Sequence, residues 1–216
     1  MERVLHTYFR SSSAYRVRIA LNLKGLDARL VPIHLTRGGG EQFANEYRAL
    51  NPLALVPVLT DGDLQLSQSL AIIEYLEERY PLPSLLPASF GDRARARQLA
   101  LTIACEIHPL NNLRILKYLT GKLGLTEEAK LEWIGHWIKQ GFDAIETELK
   151  TSALRGHFCV GDTPTIADCC LVPQVFNAQR FGVDLSLYPM LLGIHQACEA
   201  LPEFQAAHPS RQPDVE

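Results

Sequence analysis

Three consecutive serines, Ser11, Ser12 and Ser13, stand between an apolar stretch and a pattern with helical spacing. The first turn of a helix carries unsatisfied N–H groups and a partial positive charge, which together stabilise an anion. A serine hydroxyl adds a hydrogen bond to such an anion, so the position suits a thiolate. The simpler alternative is that the serines only cap the helix, a position that serine favours.

The thiol for such a site would have to arrive with a bound molecule. A redox protein needs its own nucleophilic cysteine at a helix start of this kind. The first cysteine of this chain is Cys105, far beyond the serines. Any thiol chemistry in the N-terminal half therefore requires a thiol-bearing ligand.

A second helix start, at Gln68 and Ser69, opens the pattern "SLAIIEYLEERY". Backbone N–H groups, a hydroxyl and an amide at this position suit a carboxylate. A cis Val56–Pro57 bond would leave the backbone groups of Val56 able to pair with an extended peptide. Together these features predict a site for a small peptide with a thiol and carboxylates. Helix capping and an edge-strand proline are the ordinary alternative.

The elements that position these residues alternate in the N-terminal part of the chain. Strand patterns at 3–9 and 28–35 flank a helical pattern that ends at Gly25. Pro32 predicts that the second strand lies at a sheet edge. A short helix follows, and Asp61–Gly62 between two apolar runs predicts a hairpin. The order β-α-β-α-β-β-α predicts a thioredoxin-like α/β domain.

The proline-rich stretch "YPLPSLLP" (80–87) predicts a linker. The patterns after it are helical, with a break expected at Pro109. Helix starts are predicted at Thr126 and at a capping box formed by Thr165 and Asp168.

We therefore predict a thioredoxin-like domain over residues 1–82 and an all-helical domain over residues 88–216. The C-terminal stretch "HPSRQPDVE" is expected to be a poorly packed tail.

Composition argues against several classes of function. The 216 residues carry a formal net charge of −3, without the basic clustering of nucleic-acid-binding proteins. No apolar run reaches the roughly 18 residues of a transmembrane helix, and no signal peptide is evident, so a cytoplasmic protein is expected. The five cysteines lack the spacing of a disulfide framework or a metal site.

Three stretches carry a resemblance to a known family: "SSSAYRVRIALNLKGL", "ALNPLALVPVLTDGDLQLSQSLAIIEYLEERYP" and "GDTPTIADCCLVPQVFNAQRFGVDLSLYP". Over nearly its whole length the chain resembles the zeta class of glutathione transferases, which is similar to maleylacetoacetate and maleylpyruvate isomerases. The resemblance implies glutathione at the α/β domain, an acidic substrate at a pocket completed by the helical domain, and a homodimer.

The resemblance also implies roles for individual residues. Ser11 matches the position credited with activating the glutathione thiol, and Ser12 lies beside it. Ser13 departs from the family pattern, because many zeta-class members have a cysteine there. This departure weakens a dehalogenation or redox role but not isomerisation, in which glutathione is the nucleophile. The positions implied to bind glutathione are Ser11, Ser12, Ser13, Gln42, Val56, Gln68, Ser69, His108 and Asn112.

Arginines are candidates for binding the substrate. The implied substrate is a small cis-unsaturated keto dicarboxylate, and arginine forms bidentate pairs with carboxylates. Arg10, Arg114 and Arg180 lie in the motifs nearest the implied pocket. Arg16 and Arg18 are expected to be ordinary surface residues.

The implied reaction is the glutathione-dependent conversion of maleylacetoacetate to fumarylacetoacetate in tyrosine degradation. It proceeds by thiolate addition, bond rotation and elimination, and needs no metal. Three alternatives remain open. They are a maleylpyruvate isomerase of gentisate catabolism, a general glutathione transferase acting on α-halo acids, and a non-catalytic interaction protein with the glutathione transferase fold.

Overall fold

The computed structural model describes residues 2–152 and 156–216. The chain divides into two compact units, the first containing Met1–Leu85 and Ala200–Glu216 and the second containing Leu86–Glu199. The elements of Met1–Leu85 are β1 (Arg3–Thr7), α1 (Ser12–Leu23), β2 (Arg29–Pro32), α2 (Asn45–Leu50), β3 (Val58–Asp61), β4 (Leu64–Ser67) and α3 (Ser69–Arg79).

The strands form one mixed sheet in the order β2-β1-β3-β4. β1 pairs in parallel with β2 and antiparallel with β3, and a hairpin joins β3 to β4. Leu5 lies opposite Leu30 and Leu59 at the centre of the sheet. The order of elements, the hairpin at Asp61–Gly62 and the edge position of Pro32 all agree with the sequence-based expectation. The predicted thioredoxin-like arrangement is therefore confirmed.

Helix α1 is buried even at two charged positions. Val17 is fully buried, and the helix ends where Gly25 adopts a φ of 62°. The surface positions expected for Arg16 and Arg18 are wrong, because these residues are only 1% and 3% exposed. Both guanidinium groups find hydrogen-bond acceptors inside the unit, and Arg16 Nη1 donates to Ser69 Oγ at 3.3 Å.

A buried ion pair joins the C-terminal ends of α1 and α3. Lys24 Nζ lies 2.7 Å from Glu77 Oε2, and also donates to the carbonyls of Tyr80 and Pro83. Glu77 Oε2 accepts a further hydrogen bond from the Leu85 N–H at 2.9 Å. Burial alone would raise the pKa of Glu77, but its hydrogen bonds, with that from Lys24 the strongest, lower the pKa below its usual value.

The second unit is helical. Its helices are α4 (Phe90–Leu101), α5 (Leu113–Gly121), α6 (Glu127–Thr151), α7 (Ile166–Arg180) and α8 (Pro189–Glu199). Thr126 caps α6 by accepting from the Ala129 N–H, which confirms the predicted helix start. The predicted capping box is also present at α7, where Thr165 and Asp168 bond each other's backbone N–H groups.

The helical pattern before Pro109 changes earlier than predicted. α4 passes into a π-helical segment over Thr102–Ile107, which is followed by a 3-10 turn over Pro109–Asn111. A Cβ atom at Gly141 of α6 would lie 2.2 Å from Ile107 Cδ1. The missing side chain therefore lets α6 approach the π-helical segment closely.

The cysteines of the core are poor candidates for thiol chemistry. Four of the five are buried, Cys105 is exposed, and none of the five forms a disulfide. Burial raises the pKa of Cys159 and of Cys198, which makes both poor nucleophiles. Within residues 2–152 and 156–216, no group of three or more His, Cys, Asp or Glu side chains could hold a metal ion. No helix in these ranges is long and apolar enough to cross a membrane.

The C-terminal residues 200–216 belong to the first unit. They contain α9 (Pro202–Ala207) and a 3-10 turn (Pro209–Arg211). Asn22 of α1 donates to the Glu203 carbonyl at 2.8 Å, and Gln212 is only 5% exposed. The predicted poorly packed tail is therefore wrong. The structural division also differs from the predicted helical domain over 88–216, because the C-terminal segment packs on α1.

Replacement of Gly141 by alanine should destabilise the protein, since the new methyl group would overlap Ile107. We expect Gly141→Ala to lower the free energy of unfolding by about 1–3 kcal/mol, the usual cost of overpacking. The Cβ position of Gly135, on the same helix, has no atom within 4 Å. Gly135→Ala should therefore raise the free energy of unfolding by up to about 1 kcal/mol. Urea unfolding measures both, and equal effects would contradict the close contact.

Replacement of Glu77 by glutamine should make stability less dependent on pH. The pKa of Glu77 is lowered in the folded state, so its contribution is present above the unfolded pKa of about 4.3 and is lost as the pH falls through the folded value. We expect Glu77→Gln to cost about 3 kcal/mol at neutral pH. The difference from wild type should shrink in acid.

Urea unfolding between neutral pH and about pH 3 measures this difference. Exposed Glu78, the next residue of α3, supplies the control. Glu78→Gln should change stability little at any pH, since exposed ion pairs contribute less than about 1 kcal/mol. A Glu77→Gln effect that stays constant across the titration would exclude the ion pair as its cause.

Candidate active site

Ser11 lies between β1 and α1, and its side chain caps the helix. Its Oγ accepts a hydrogen bond from the Ala14 N–H at 3.2 Å, and its own N–H donates to the Tyr8 carbonyl at 3.0 Å. The capping alternative is therefore realised. A hydroxyl that accepts one hydrogen bond still has its proton to donate, so capping leaves Ser11 able to bond an anion.

The start of α1 has the electrostatic character of an anion site. Ser12 and Ser13 occupy its first turn, the former buried and the latter half-buried. This turn contains no acidic residue, so no carboxylate on the helix neutralises the positive end of the dipole. The arrangement can hold an anion beside Ser11.

The start of α3 forms a second candidate anion site. Gln68 precedes the helix with a φ of 70° and a ψ of 112°, a conformation that is costly for a residue other than glycine. Its exposed side chain makes no capping hydrogen bond, and the first turn of α3 holds no acidic residue. Arg16 Nη1 bonds Ser69 Oγ, so a buried positive charge of α1 lies at this helix start.

The loop before β3 leaves one backbone position available. The Val56–Pro57 bond is cis. Tyr47 Oη and Asn51 Nδ2 donate to the Leu55 carbonyl at 2.7 and 2.8 Å, which fixes the preceding residue. Among the residues that the structure describes, no backbone group is hydrogen-bonded to Val56. The N–H and carbonyl of Val56 can therefore pair with an extended peptide.

Gln42 supports the loop between β2 and α2. Its side chain is buried, and Nε2 donates to the Leu35 carbonyl at 3.2 Å. Gly40 has a φ of 122° and passes so close that a Cβ there would lie 2.6 Å from Gln42 Oε1. The Gln42 side chain thus stabilises the loop between β2 and α2. The contact with glutathione that the resemblance implies stays a prediction.

Arg10 is exposed next to the serines and is held by aromatic rings. Its Nη2 donates to Tyr8 Oη at 2.9 Å, and its guanidinium carbon lies 4.9 Å from the centre of the Phe9 ring. Tyr8 and Phe9 are buried, so the guanidinium of Arg10 is oriented by rings that are themselves fixed in the core. A guanidinium has five N–H donors, and those not bonded to Tyr8 can bind a carboxylate.

Sequence reasoning missed the side chain that holds the loop before Ser11. Arg18 donates to the carbonyls of Tyr8 and Phe9, at 3.4 and 3.0 Å. Burial lowers the pKa of Arg18 to about 10, which still leaves it charged at neutral pH. One signal was available, since a charged residue inside an otherwise apolar helix run is buried only when it has partners.

Four predicted site residues lie in the second unit. Asn112 caps α5 by accepting from the Arg114 N–H at 3.1 Å. His108 is half-buried at the end of the π-helical segment, and the Arg114 side chain is exposed. Arg180 ends α7 with its guanidinium carbon 4.5 Å from the centre of the Phe181 ring. The ligand contacts of these four residues stay predictions.

Two parts of the chain match known domain families. Residues 5–84 match the glutathione S-transferase N-terminal domain, and residues 138–210 match the glutathione S-transferase C-terminal domain. The first match contains the starts of both α1 and α3.

Individual relatives agree with these matches over the full length. A Vibrio cholerae protein named "Probable maleylacetoacetate isomerase" is 53% identical, over 100% of this chain and 99% of the relative. The holo structure of a maleylpyruvate isomerase, a bacterial zeta-class glutathione transferase, is 48% identical. It has a TM-score of 0.95 and the comparison covers 98% of this chain and 99% of that one.

A third relative was solved with ligands. Maleylacetoacetate isomerase from Methylobacterium extorquens AM1, with bound malonate and glutathione, is 40% identical. Its TM-score is 0.94, and the comparison covers 98% of this chain and 99% of that one. These matches confirm the resemblance found in the serine and helix-start motifs. The chain belongs to the zeta class of the glutathione transferase family.

Proposed function

We propose that this protein is a glutathione-dependent cis–trans isomerase that converts maleylacetoacetate to fumarylacetoacetate. The observation that carries the proposal is the start of α1, where a serine hydroxyl and helix N–H groups occur in a region without any cysteine. A site with these groups suits a sulfur anion that a ligand brings. The names of the Vibrio cholerae and Methylobacterium extorquens proteins support this choice of substrate.

The proposed role of Ser11 is to keep the glutathione thiol ionised. A free thiol has a pKa of about 8.5, so only a few per cent is thiolate at neutral pH. Hydrogen bonding to the charged form lowers the pKa, and the helix dipole acts in the same direction. Each unit of lowering corresponds to about 1.4 kcal/mol of stabilisation of the thiolate. Ser12 lies on the same turn and shares the role.

The remainder of the tripeptide has matching groups in the same unit. We assign a glutathione carboxylate to the start of α3, at Gln68 and Ser69, and the peptide backbone to Val56. Support comes from the strained backbone of Gln68, which presents the helix N–H groups, and from the buried charge of Arg16. Gln42, Ser13, His108 and Asn112 complete the set of glutathione-binding residues that we propose.

The proposed reaction neither gains nor loses atoms. The thiolate sulfur adds to one carbon of the cis double bond, and the π electrons move onto the conjugated carbonyl to give an enolate. The former double bond is now a single bond and rotates. The enolate then re-forms the double bond in the trans geometry and expels the thiolate, so glutathione is regenerated.

Arg10 is proposed to orient a carboxylate of the substrate, with Arg114 and Arg180 as further substrate-binding residues. The aromatic support of Arg10 limits its motion, and a planar guanidinium matches a carboxylate through two parallel hydrogen bonds. Fixing the substrate in this way lowers the entropic cost of bringing the double bond to the sulfur.

Maleylpyruvate isomerisation is the second candidate, because the similar holo structure carries that name. The chemistry is the same on a shorter keto diacid, so the ratio of kcat/KM for the two substrates decides between them. A transferase acting on α-halo acids would instead leave a stable thioether product. A non-catalytic interaction protein would show no turnover at all.

The proposal includes a homodimer in the cytoplasm. None of the five cysteines forms a disulfide, which suits a reducing compartment. The homodimer rests on membership of the zeta class, and Phe90 on α4, which is 92% exposed, is one apolar side chain that a second copy would cover.

Turnover of maleylacetoacetate with and without glutathione tests the proposed function, and Ser11→Ala tests its cause. We expect isomerisation only when glutathione is present. Loss of the hydroxyl should raise the pKa of the bound thiol by about one unit and lower turnover about tenfold at a pH below both the old and the new pKa. The ultraviolet absorbance of the thiolate, titrated against pH, measures that pKa directly.

Ser11→Asp separates helix capping from thiolate stabilisation. Aspartate caps a helix as well as serine does, but its negative charge opposes a neighbouring thiolate. This variant should therefore keep the wild-type melting temperature and lose turnover. Equal rates with and without glutathione, or an unchanged thiol pKa in Ser11→Ala, would refute the proposal.

Replacement of Arg10 by glutamine should weaken substrate binding selectively. We expect KM for the dicarboxylate to rise about tenfold to a hundredfold, the effect of losing a charged hydrogen bond, with KM for glutathione little changed. Arg48 provides the control, since its guanidinium carbon likewise lies 5.6 Å from an aromatic ring centre, that of Phe43. If Arg10→Gln and Arg48→Gln behave alike in steady-state kinetics, Arg10 does not bind the substrate.

A further inference from the structure

A side chain from the C-terminal segment bonds the loop that leads into α1. The Phe9 N–H donates to Asp214 Oδ2 at 2.9 Å, across 205 positions of the sequence. Phe9 stands two residues before Ser11, between the end of β1 and the start of the helix. The position of the proposed thiolate site therefore depends on a residue that is remote in the sequence.

Arg18 bonds the same loop from within α1. Its guanidinium donates to the carbonyls of Tyr8 and Phe9, and its Nε donates to the Ala207 carbonyl at 3.1 Å. The Tyr8 carbonyl also accepts from the Ser11 N–H at 3.0 Å. Ser11 and Arg18 thus both donate to the Tyr8 carbonyl, and Arg18 also bonds α9.

The two residues also carry opposite charges. Asp214 Oδ1 is buried and has no hydrogen-bond partner in the described part of the chain. A buried carboxylate oxygen in this state costs free energy unless a positive charge compensates it. The charge of Asp214 acts on the guanidinium of Arg18, which is itself 3% exposed. Each charge therefore offsets part of the burial cost of the other.

From these contacts we infer that Arg18 and Asp214 are positioning residues for the thiolate. Together they hold the backbone of Tyr8 and Phe9, so that the Ser11 hydroxyl and the start of α1 keep a fixed orientation toward the sulfur of glutathione. This inference rests on the proposed function, because it assigns these residues to the same sulfur site.

The inference separates binding from activation. The proposed carboxylate site at Gln68 and Ser69 has no bond to Asp214, so a looser loop before Ser11 leaves that part of the glutathione contact in place. The stabilisation of the thiolate requires a hydroxyl fixed in distance and direction. Loss of the Asp214 contact therefore affects the thiol pKa and turnover more than KM for glutathione.

Asp214→Ala tests this separation. We expect the pKa of the bound thiol to rise by about one unit, which is a tenfold lower ratio of thiolate to thiol at a fixed pH below both values. Turnover should fall by the same factor at a pH below both pKa values and recover as the pH rises above the new pKa. KM for glutathione should stay within about twofold of wild type.

Asp214→Asn and Asn22→Ala are the matched variants. Asparagine keeps an oxygen that accepts from the Phe9 N–H, so most of the wild-type thiol pKa should be retained. Asn22→Ala removes the hydrogen bond from α1 to the Glu203 carbonyl, which loosens the same C-terminal segment without a contact to the loop. It should lower the melting temperature and leave the thiol pKa unchanged.

The outcomes distinguish this inference from the proposed function. A wild-type thiol pKa in Asp214→Ala overturns the positioning role, and so does an equal shift in Asp214→Ala and Asn22→Ala. If Ser11→Ala shifts the thiol pKa while Asp214→Ala does not, only the positioning role fails. If wild-type enzyme does not lower the thiol pKa at all, the proposed function fails and the positioning role fails with it.

Discussion

A helix start can stabilise an anion only while the chain that enters the helix keeps a fixed position, and the buried guanidinium of Arg18 supplies that constraint. The carbonyls of Tyr8 and Phe9 lie beyond the end of β1, where no neighbouring strand bonds them. Backbone carbonyls in such places need donors, and a buried arginine needs acceptors. The hydrogen bonds from Arg18 to these carbonyls meet both needs. They hold the loop before Ser11, and they offset the cost of burying the Arg18 charge.

The two buried arginines of α1 connect it to different neighbours. Residues two positions apart point about 200° apart around a helix. Arg16 accordingly bonds Ser69 at the start of α3, whereas Arg18 bonds the β1–α1 loop and α9. One rigid helix therefore sets both the candidate thiolate site and its separation from the candidate carboxylate site. The proposed ligand would have to carry its thiolate and its carboxylate at this separation.

Local signals predicted most of the fold and the positions of the helix starts, because they depend on few neighbouring residues. The hairpin at Asp61–Gly62 and the capping box of Thr165 and Asp168 are of this kind. The burial of Arg18 and the docking of α9 were missed, because they depend on contacts between residues far apart in the chain. Asp214 and Phe9 are 205 positions apart, so no local pattern could reveal the hydrogen bond between them.

The start of α1 presents uncharged hydroxyl and N–H groups, which suit a thiol that acts first as nucleophile and then as leaving group. In the proposed reaction the same sulfur adds to the double bond and is later expelled. A lower pKa increases the thiolate fraction and eases departure, but it also weakens the nucleophile, so the optimum lies near the ambient pH. Hydroxyls and a helix dipole give a moderate shift, whereas a contact ion pair could lower the pKa by several units. Ser11 at the cap, with Ser12 and Ser13 in the first turn, supplies the moderate arrangement that a reversible addition requires.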